Sequence, residues 1–325
     1  MAQFRILVIR LSSMGDVIHT LPAVASLKLS FPHSRLSWLI RPHWMPLLES
    51  NPFVDEVIPM ERSLSATLAG VRSLRQQHFD LAVDFQGLVQ TALVGAAVHA
   101  DKLAGFDRHR VRERAAAWFY SSEIATQGEH AVERNLELAG GAGASNQLRA
   151  FPLPEGVAEG MLPDRRFVLA CPLAGWGAKQ WPLEYYEELA AKIDMPLVVN
   201  GPPDSAPLLM RIRGVHLHLS GIGGLIHATR KALAVVGVDS GPMHLAAALG
   251  KPGVAIYGPT NPLRHGPYGN TIHVLRDPEA LTHYARRATP DESMRAILPG
   301  DVADALSNLI VSGTPSSDRS PGCPA

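Results

Sequence analysis

The first apolar run of the chain ends in LSSMGDVI, at residues 11–18, which contains a single acidic residue. Asp16 lies where a buried strand would end and a helix would begin, and Gly15 before it would let a substrate approach the backbone. A carboxylate at such a place can act as a general base. It can equally be an N-cap that accepts hydrogen bonds from the free N–H groups of the helix. The stretch alone leaves both interpretations open.

A second turn of this kind follows the apolar run at 234–239. Asp239 ends the run, Ser240 and Gly241 form the turn, and Pro242 is expected to be the first helical residue. The free N–H groups and the dipole at a helix start favour an anion. This turn is therefore a candidate phosphate site.

The loop that contains Thr260, in YGPTNP, follows the next predicted strand and would lie at the same sheet edge as the turn after Asp239. Two loops at one edge suit a diphosphate or a nucleotide. The alternative is a pair of ordinary connections between strand and helix, in which His244 is a helix residue with satisfied hydrogen bonds.

A lysine and two tryptophans follow the apolar strand that opens CPLAGWGAKQWPLEYY, at residues 171–186. Lys179 could meet a phosphate through its ammonium group, although an exposed loop lysine is the commoner case. Trp176 and Trp181 are expected to be exposed in this loop, which favours a binding role.

Arginines occur at every second position from Arg108 to Arg114, and Arg62 stands apart from them. Such runs usually face solvent, but near a site they could bind an anionic acceptor. The sequence has no DxD motif, so a divalent metal held by carboxylates is not indicated. It also lacks the GxxxxGK[ST] loop, the GxSxG elbow and a GxGxxG fingerprint after the first strand.

The composition bounds the class of protein. The chain has 325 residues, which favours two domains, and 30 basic residues balance 30 acidic ones, which argues against a generic nucleic-acid binder. Its two cysteines fit a reducing compartment better than a disulfide framework. No apolar run approaches the roughly 18 residues of a membrane span, and the N-terminus indicates a strand rather than a signal peptide.

Strands and helices are expected to alternate along the chain. Strands are predicted at 4–11, 36–40, 55–60, 81–85, 102–106, 167–171, 196–200, 215–219, 234–239, 253–258 and 271–275. Helices are predicted between them, including 64–77, 87–100, 110–120, 128–140, 182–193, 242–250 and 300–312. The first helix follows Asp16, where Pro22 would be tolerated only near the first turn.

A stretch rich in Gly, Ala, Ser and Pro at 140–156 is the best linker candidate. We therefore expect an N-terminal domain at 1–150, a C-terminal domain at 151–312 and a disordered tail at 313–325. Each domain should hold a doubly wound parallel sheet of the α/β class, and the site should lie in the cleft that the two sheets face.

Four stretches resemble the motifs of the family 9 glycosyltransferases, the lipopolysaccharide heptosyltransferases: RLSSMGDVIHTLPA, DFQGLVQTALV, GAKQWP and VGVDSGPMHLAAALGKPGVAIYGPTNP. The resemblance extends from Arg5 to Tyr268. SSMGD with HTLPA, and HAVERN at 130–135, look most like the heptosyltransferase I branch, which adds the first heptose to the Kdo region of lipid A–Kdo.

The resemblance implies the GT-B fold of two Rossmann-like domains, with the acceptor in the first and ADP-heptose in the second. It implies an inverting transfer without metal or cofactor, in which Asp16 is the base. The implied donor-binding residues are Lys179, Asp239, Ser240, Gly241, His244 and Thr260. The implied acceptor-side residues are Ser12, Ser13, Gly15, Arg62 and Arg112.

Two positions depart from the family pattern. Ser240 stands where the family often has threonine, which keeps the hydroxyl group. The loop GPPDSAP at 201–207 lacks the usual glutamate near the nucleoside, and Asp204 is its nearest carboxylate. A relative that uses another nucleotide sugar or acceptor, or a non-catalytic nucleotide-sugar-binding module, therefore stays an alternative. The expected location is the cytoplasm, at the cytoplasmic face of the inner membrane that holds the acceptor lipid.

Overall fold

The computed structural model describes residues 3–283 and 285–312, which form two compact units. The first unit holds residues 3–159, 222–227 and 261–268, and the second holds the other described residues. This division differs from a single boundary at residue 150, because two later segments belong to the first unit. The tail predicted to be disordered, 313–325, lies outside the described residues.

Each unit is built around one sheet of six strands. The strands are β1 (Arg5–Ile9), β2 (Arg35–Ile40), β3 (Glu56–Pro59), β4 (Leu81–Asp84), β5 (Lys102–Phe106), β6 (Ser122–Ile124), β7 (Val168–Cys171), β8 (Leu197–Gly201), β9 (His216–Leu219), β10 (Ala234–Val238), β11 (Gly253–Tyr257) and β12 (Ile272–Arg276). Each predicted strand is found, within a few residues at its ends. Only β6 was not predicted, because three residues are too few to show a pattern.

The helices connect these strands. They are α1 (Met14–Ser30), α2 (Leu64–Arg75), α3 (Val89–Val98), α4 (Ala131–Ala142), α5 (Leu183–Lys192), α6 (Ala206–Leu209), α7 (Ile222–Lys231), α8 (Gly241–Ala248), α9 (Pro262–His265), α10 (Glu292–Arg295) and α11 (Pro299–Ser312). Short 3₁₀ helices are formed by Pro42–Leu48, Arg114–Phe119, Gly177–Lys179 and Pro203–Ser205. Among the described residues, no helix combines the length and apolarity that a membrane crossing requires.

The strand order is the same in both sheets. It is β3-β2-β1-β4-β5-β6 in the first unit and, read from the corresponding edge, β9-β8-β7-β10-β11-β12 in the second. Every pair of neighbouring strands is parallel. The order reverses between β1 and β4 and between β7 and β10. At these switch points the loops after neighbouring strands separate and leave a crevice for ligands. The predicted doubly wound sheets are confirmed.

The strands are apolar because helices cover both sheet faces. Ile6 to Ile9 of β1 are fully buried. In the second unit the core includes Trp181, whose side chain is 0% exposed and whose Nε1 donates to the Ile297 carbonyl at 2.8 Å. The prediction that Trp181 is exposed is therefore wrong, because the indole packs at the start of α5 against Tyr186.

Two helix predictions were also wrong. Pro22 lies in the middle of α1 rather than in its first turn. It removes one backbone hydrogen bond, but most of α1 is buried, and that packing offsets the loss. Residues 110–120 form only the short 3₁₀ helix Arg114–Phe119, and the arginines before it lie in irregular chain.

Candidate active site

The carboxylate of Asp16 lies in the first turn of α1, at the switch point of the first sheet. Ser13 is the N-cap of α1, and its N–H and Oγ both donate to Oδ2 of Asp16 at 3.0 Å. Asp16 is the third helical residue and completes a capping box. Ser13 rather than Asp16 is therefore the N-cap, and Asp16 contributes to the same cap by accepting from the Ser13 N–H.

Arg10, at the end of β1, fixes the other carboxylate oxygen. Its Nη2 lies 2.6 Å from Oδ1 of Asp16, and its Nη1 donates to the Phe85 carbonyl. Arg10 is 8% exposed, whereas the Asp16 side chain keeps 29% of its surface exposed. The carboxylate is thus oriented from within the protein and reachable from outside.

The charges around Asp16 keep it ionised. Burial raises its pKa, but Arg10, the hydrogen bonds from Ser13 and the charge of Arg112 outweigh that effect and hold the pKa below its usual value. An ionised carboxylate with an exposed edge can accept a proton from a bound hydroxyl group.

The loop after β4 supports the residues that lead into α1, just before Asp16. Oε1 of Gln86 accepts hydrogen bonds from the N–H groups of Leu11 and Ser12, at 2.9 and 3.2 Å. Gln86 is held in turn by the buried Asp84, whose Oδ1 accepts from its N–H at 2.8 Å. The hydroxyl of Tyr120 donates to Asp84 at 2.8 Å. Burial raises the pKa of Asp84, although these hydrogen bonds oppose the shift.

Of the two predicted acceptor-side arginines, Arg112 lies within electrostatic range of Asp16. Gly87 lets the chain pass closely there, because it has a φ of +68° and a Cβ would lie 3.3 Å from the Arg112 nitrogen. Arg62 lies beside Arg41 instead, whose pKa is lowered by burial and by the charge of Arg62. Both Arg62 and Arg112 are exposed.

The predicted acceptor-side residues Ser12, Ser13 and Gly15 surround Asp16 along the chain. Ser13 is exposed, Ser12 is half-buried and Gly15 is buried as the second residue of α1. Ser13 is the one whose side chain bonds Asp16 directly.

In the second unit, the switch point brings together three of the predicted donor-side residues. Nζ of Lys179 lies 2.5 Å from Oδ2 of Asp239, and the hydroxyl of Thr260 donates to the same oxygen at 2.7 Å. Tyr257 also bonds the Asp239 side chain, and burial together with that negative charge raises its pKa. The Lys179 and Asp239 side chains are only 13% and 10% exposed, so the positive charge of Lys179 is largely compensated.

The other predicted donor-side residues lie at the start of α8, which follows β10. Ser240 is its N-cap, and among the described residues its buried Oγ has no hydrogen-bond partner. Gly241 is the first helical residue, so the expectation for Pro242 was off by one position. His244 is buried at 9% exposure. The helix start therefore presents free N–H groups and an unused hydroxyl group, which suit an anion.

Sequence reasoning missed several residues of these sites. Arg10 was taken as part of a strand, and Tyr257 as the end of another. Neither has a local sequence signal, because Tyr257 acts through Asp239 of the neighbouring strand end and Arg10 through the side chain of Asp16 beyond the turn. Arg286, whose guanidinium lies 5.3 Å from the ring centre of Trp176, was missed because the two residues are far apart in the sequence.

Comparison with known proteins gives the context for this geometry. The family model described as glycosyltransferase family 9 (heptosyltransferase) matches residues 67–199 and 216–294. The chain is 32% identical over 304 residues to lipopolysaccharide heptosyltransferase 1 of Pseudomonas aeruginosa, with 84% of each chain covered. It is 30% identical over 308 residues to lipopolysaccharide heptosyltransferase 1 of Escherichia coli K12, with 84% of this chain and 94% of the relative covered.

The fold agrees with these sequence matches. A solved structure of E. coli heptosyltransferase WaaC with ADP is similar with a TM-score of 0.75 and 25% identity, over 94% of this chain and 97% of the other. The two Rossmann-like sheets are therefore those of the GT-B fold. The resemblance to family 9, and to its heptosyltransferase I branch, is confirmed. The chain belongs to glycosyltransferase family 9, the heptosyltransferases, and is a glycosyltransferase.

Proposed function

We propose that this enzyme transfers L-glycero-D-manno-heptose from ADP-heptose to the Kdo region of lipid A–Kdo, in the assembly of the lipopolysaccharide inner core. The similarity to two proteins named lipopolysaccharide heptosyltransferase 1 supports a lipopolysaccharide acceptor, and the ADP in the E. coli neighbour supports the nucleotide. The observation that carries the proposal is the ionised, partly exposed Asp16 at the first switch point.

Asp16 is the proposed base. The acceptor hydroxyl group loses its proton to the Asp16 carboxylate while its oxygen attacks the anomeric carbon of heptose. The bond from that carbon to the ADP oxygen breaks in the same displacement, so the anomeric configuration inverts. Ser12 and Ser13, which precede α1, and Gly15 in its first turn are the proposed neighbours of the reacting sugar.

The second unit is the proposed donor site. ADP leaves with growing negative charge, which Lys179 and the N–H groups at the start of α8 stabilise. Asp239, Ser240, Gly241, His244 and Thr260 line this site. For Lys179 to meet the phosphates, its bond to Asp239 must lengthen or be shared with them, because the ammonium already lies 2.5 Å from that carboxylate.

The first unit is the proposed acceptor site. Arg112 and Arg62 would bind the anionic groups of the acceptor, since guanidinium groups pair well with carboxylates and phosphates. The acceptor is a lipid, so we propose that the enzyme works at the cytoplasmic face of the inner membrane as a peripheral protein.

A transfer assay tests this function. The purified full chain is incubated with Kdo-bearing lipid A and one nucleotide sugar at a time. The nucleotide sugars are ADP-heptose, ADP-glucose, UDP-glucose and GDP-mannose. We expect a glycosylated product only in the incubation with ADP-heptose. NMR of that product should show that the anomeric configuration of its heptose is opposite to that in ADP-heptose. Transfer from another nucleotide sugar would favour a relative of different specificity, and binding without transfer would favour a non-catalytic module.

A further inference from the structure

Residues 285–291, which the proposed donor site does not include, are hydrogen-bonded to the loop that carries Lys179. The N–H of Ala178 donates to the Arg287 carbonyl at 3.0 Å, and the N–H of Asp291 donates to the Ala178 carbonyl at 3.3 Å. A Cβ on Gly177 would lie only 1.8 Å from the Ala288 carbonyl oxygen. Residues 285–291 therefore have a defined place beside this loop.

The segment brings a second cation to Trp176. Nζ of Lys179 lies 4.3 Å from the centre of the indole ring, and Cζ of Arg286 lies 5.3 Å from the same centre. A guanidinium that contacts an aromatic ring still has N–H groups at its edge to donate. Two cations therefore contact one ring at the second switch point.

These two cations differ in how far they are compensated. Lys179 is paired with Asp239 at 2.5 Å. Arg286 is exposed, and no ion pair joins it to a carboxylate among the described residues. Its neighbour Arg287 lies 4.0 Å from Asp291. Arg286 is thus the cation here whose charge is left for a ligand.

Trp176 itself also carries a buried polar atom. Its Nε1 is buried and has no hydrogen-bond partner among the described residues. Buried donors are usually paired in native structures, so this unpaired N–H is an exception.

We propose that Arg286, held against Trp176, is a second cation that binds the diphosphate of the donor. This inference rests on the proposed function, since it assumes a donor linked to ADP. Arg286 supplies the net positive charge that the Lys179–Asp239 pair lacks, and its planar donor edge suits phosphate oxygens. It neutralises charge on the bound donor and on the departing ADP.

Calorimetric titration of the full chain with ADP tests this proposal. Arg286→Ala should raise the Kd for ADP about 10-fold, and Arg286→Lys about threefold, because lysine keeps the charge without the planar fork. The loss in Arg286→Ala should shrink when the salt concentration rises from about 50 mM to about 300 mM, since salt screens the lost attraction.

Arg287→Ala is the matched control. It removes the same charge one residue away, but from a side chain that faces Asp291, and should change the Kd for ADP less than about twofold. An unchanged Kd in Arg286→Ala, or an equal loss in both variants, would overturn the proposal. A wild-type chain that binds ADP but transfers no heptose refutes the proposed function alone, and the comparison of the two arginine variants then still decides the role of Arg286.

Discussion

Both oxygens of the Asp16 carboxylate are held by the protein itself. Oδ1 faces Arg10, and Oδ2 accepts two hydrogen bonds from Ser13. Such partners fix the direction of the carboxylate and leave its exposed edge for a substrate. They also make it a weaker base than a free aspartate, because each of them favours the ionised form.

Replacing Asp16 with asparagine tests its role as the base. Asparagine keeps the size and can still accept the hydrogen bonds of Ser13, but it cannot take up a proton. We expect kcat for heptose transfer to fall by a factor of about 10² to 10⁴. The Kd for ADP, measured by calorimetry, should stay unchanged. Transfer at a near wild-type rate would show that another group is the base.

Arg10→Met tests the cause of the low pKa of Asp16. Transfer requires the ionised carboxylate, and Arg10 is the charge that lowers its pKa most. Without Arg10, burial acts with less opposition and the pKa rises. The acid limb of the pH dependence of kcat/KM should therefore move to higher pH. Arg10→Lys keeps the charge and should move the acid limb less. The same acid limb in the wild type, Arg10→Met and Arg10→Lys would contradict this account.

The sequence was informative about residues at strand ends. Asp16, Lys179 and Asp239 each follow an apolar strand, and parallel sheets place such residues at one edge. Arg10 and Tyr257 could not be predicted, because nothing local distinguishes them from other strand residues. Trp181 was misjudged because a tryptophan after a glycine-rich loop can turn inward as easily as outward.

Among the elements, the loop at 175–179 and the segment at 285–291 depend on each other. Gly177 leaves no room for a side chain between them, since a Cβ there would lie 1.8 Å from a backbone oxygen. The two must separate if a side chain is added. Because Lys179 and Trp176 are on this loop, such a separation would also disturb the proposed donor site.

Gly177→Ala should therefore reduce both stability and ADP binding. We expect a loss of about 1–3 kcal/mol in the free energy of unfolding, typical of overpacking, and a higher Kd for ADP. Gly175→Ala is the matched control in the same loop, because its Cβ would have nothing within 4 Å. Denaturant unfolding and calorimetry measure the two effects, and equal behaviour of both variants would contradict this packing.

The elements were predictable where burial gives a strong pattern. Strands covered on both faces appear in the sequence as continuous apolar runs, and these predicted the sheets. The irregular chain before Arg114 and the short strand β6 lack such a pattern. Their conformation is set by contacts made after the sheet has formed, including the pairing of β6 with β5.

Across the whole molecule, His130 joins α4 to the later segment 261–268. Its Nε2 donates to the Gly266 carbonyl at 3.0 Å, since a carbonyl can only accept, and its Nδ1 accepts from the Val132 N–H at 3.1 Å. Both bonds together require the neutral imidazole. Burial lowers the pKa of His130 below its usual value of 6.5, which agrees with this state.

This arrangement predicts a loss of stability in acid. Between the lowered pKa of His130 in the folded chain and the value of 6.5 in the unfolded chain, the unfolded state binds more protons, so the free energy of unfolding decreases as pH falls. His130→Asn can still cap α4 but does not titrate. The Tm difference between the wild type and this variant should narrow from about pH 8 to about pH 5. A constant difference would exclude His130 as the cause.

Residues 261–268 belong to the first unit although most of the second unit precedes them in the chain, which affects the design of chimeras between members of this family. The hydroxyl of Tyr268 donates to Glu133, and the N–H of Val157 donates to the carbonyl of Gly223 in the other returning segment. In a hybrid with a single junction at residue 159, the two members of each of these hydrogen bonds would come from different parents. We expect hybrids that take 3–159, 222–227 and 261–268 from one parent to express as folded protein more often than single-junction hybrids.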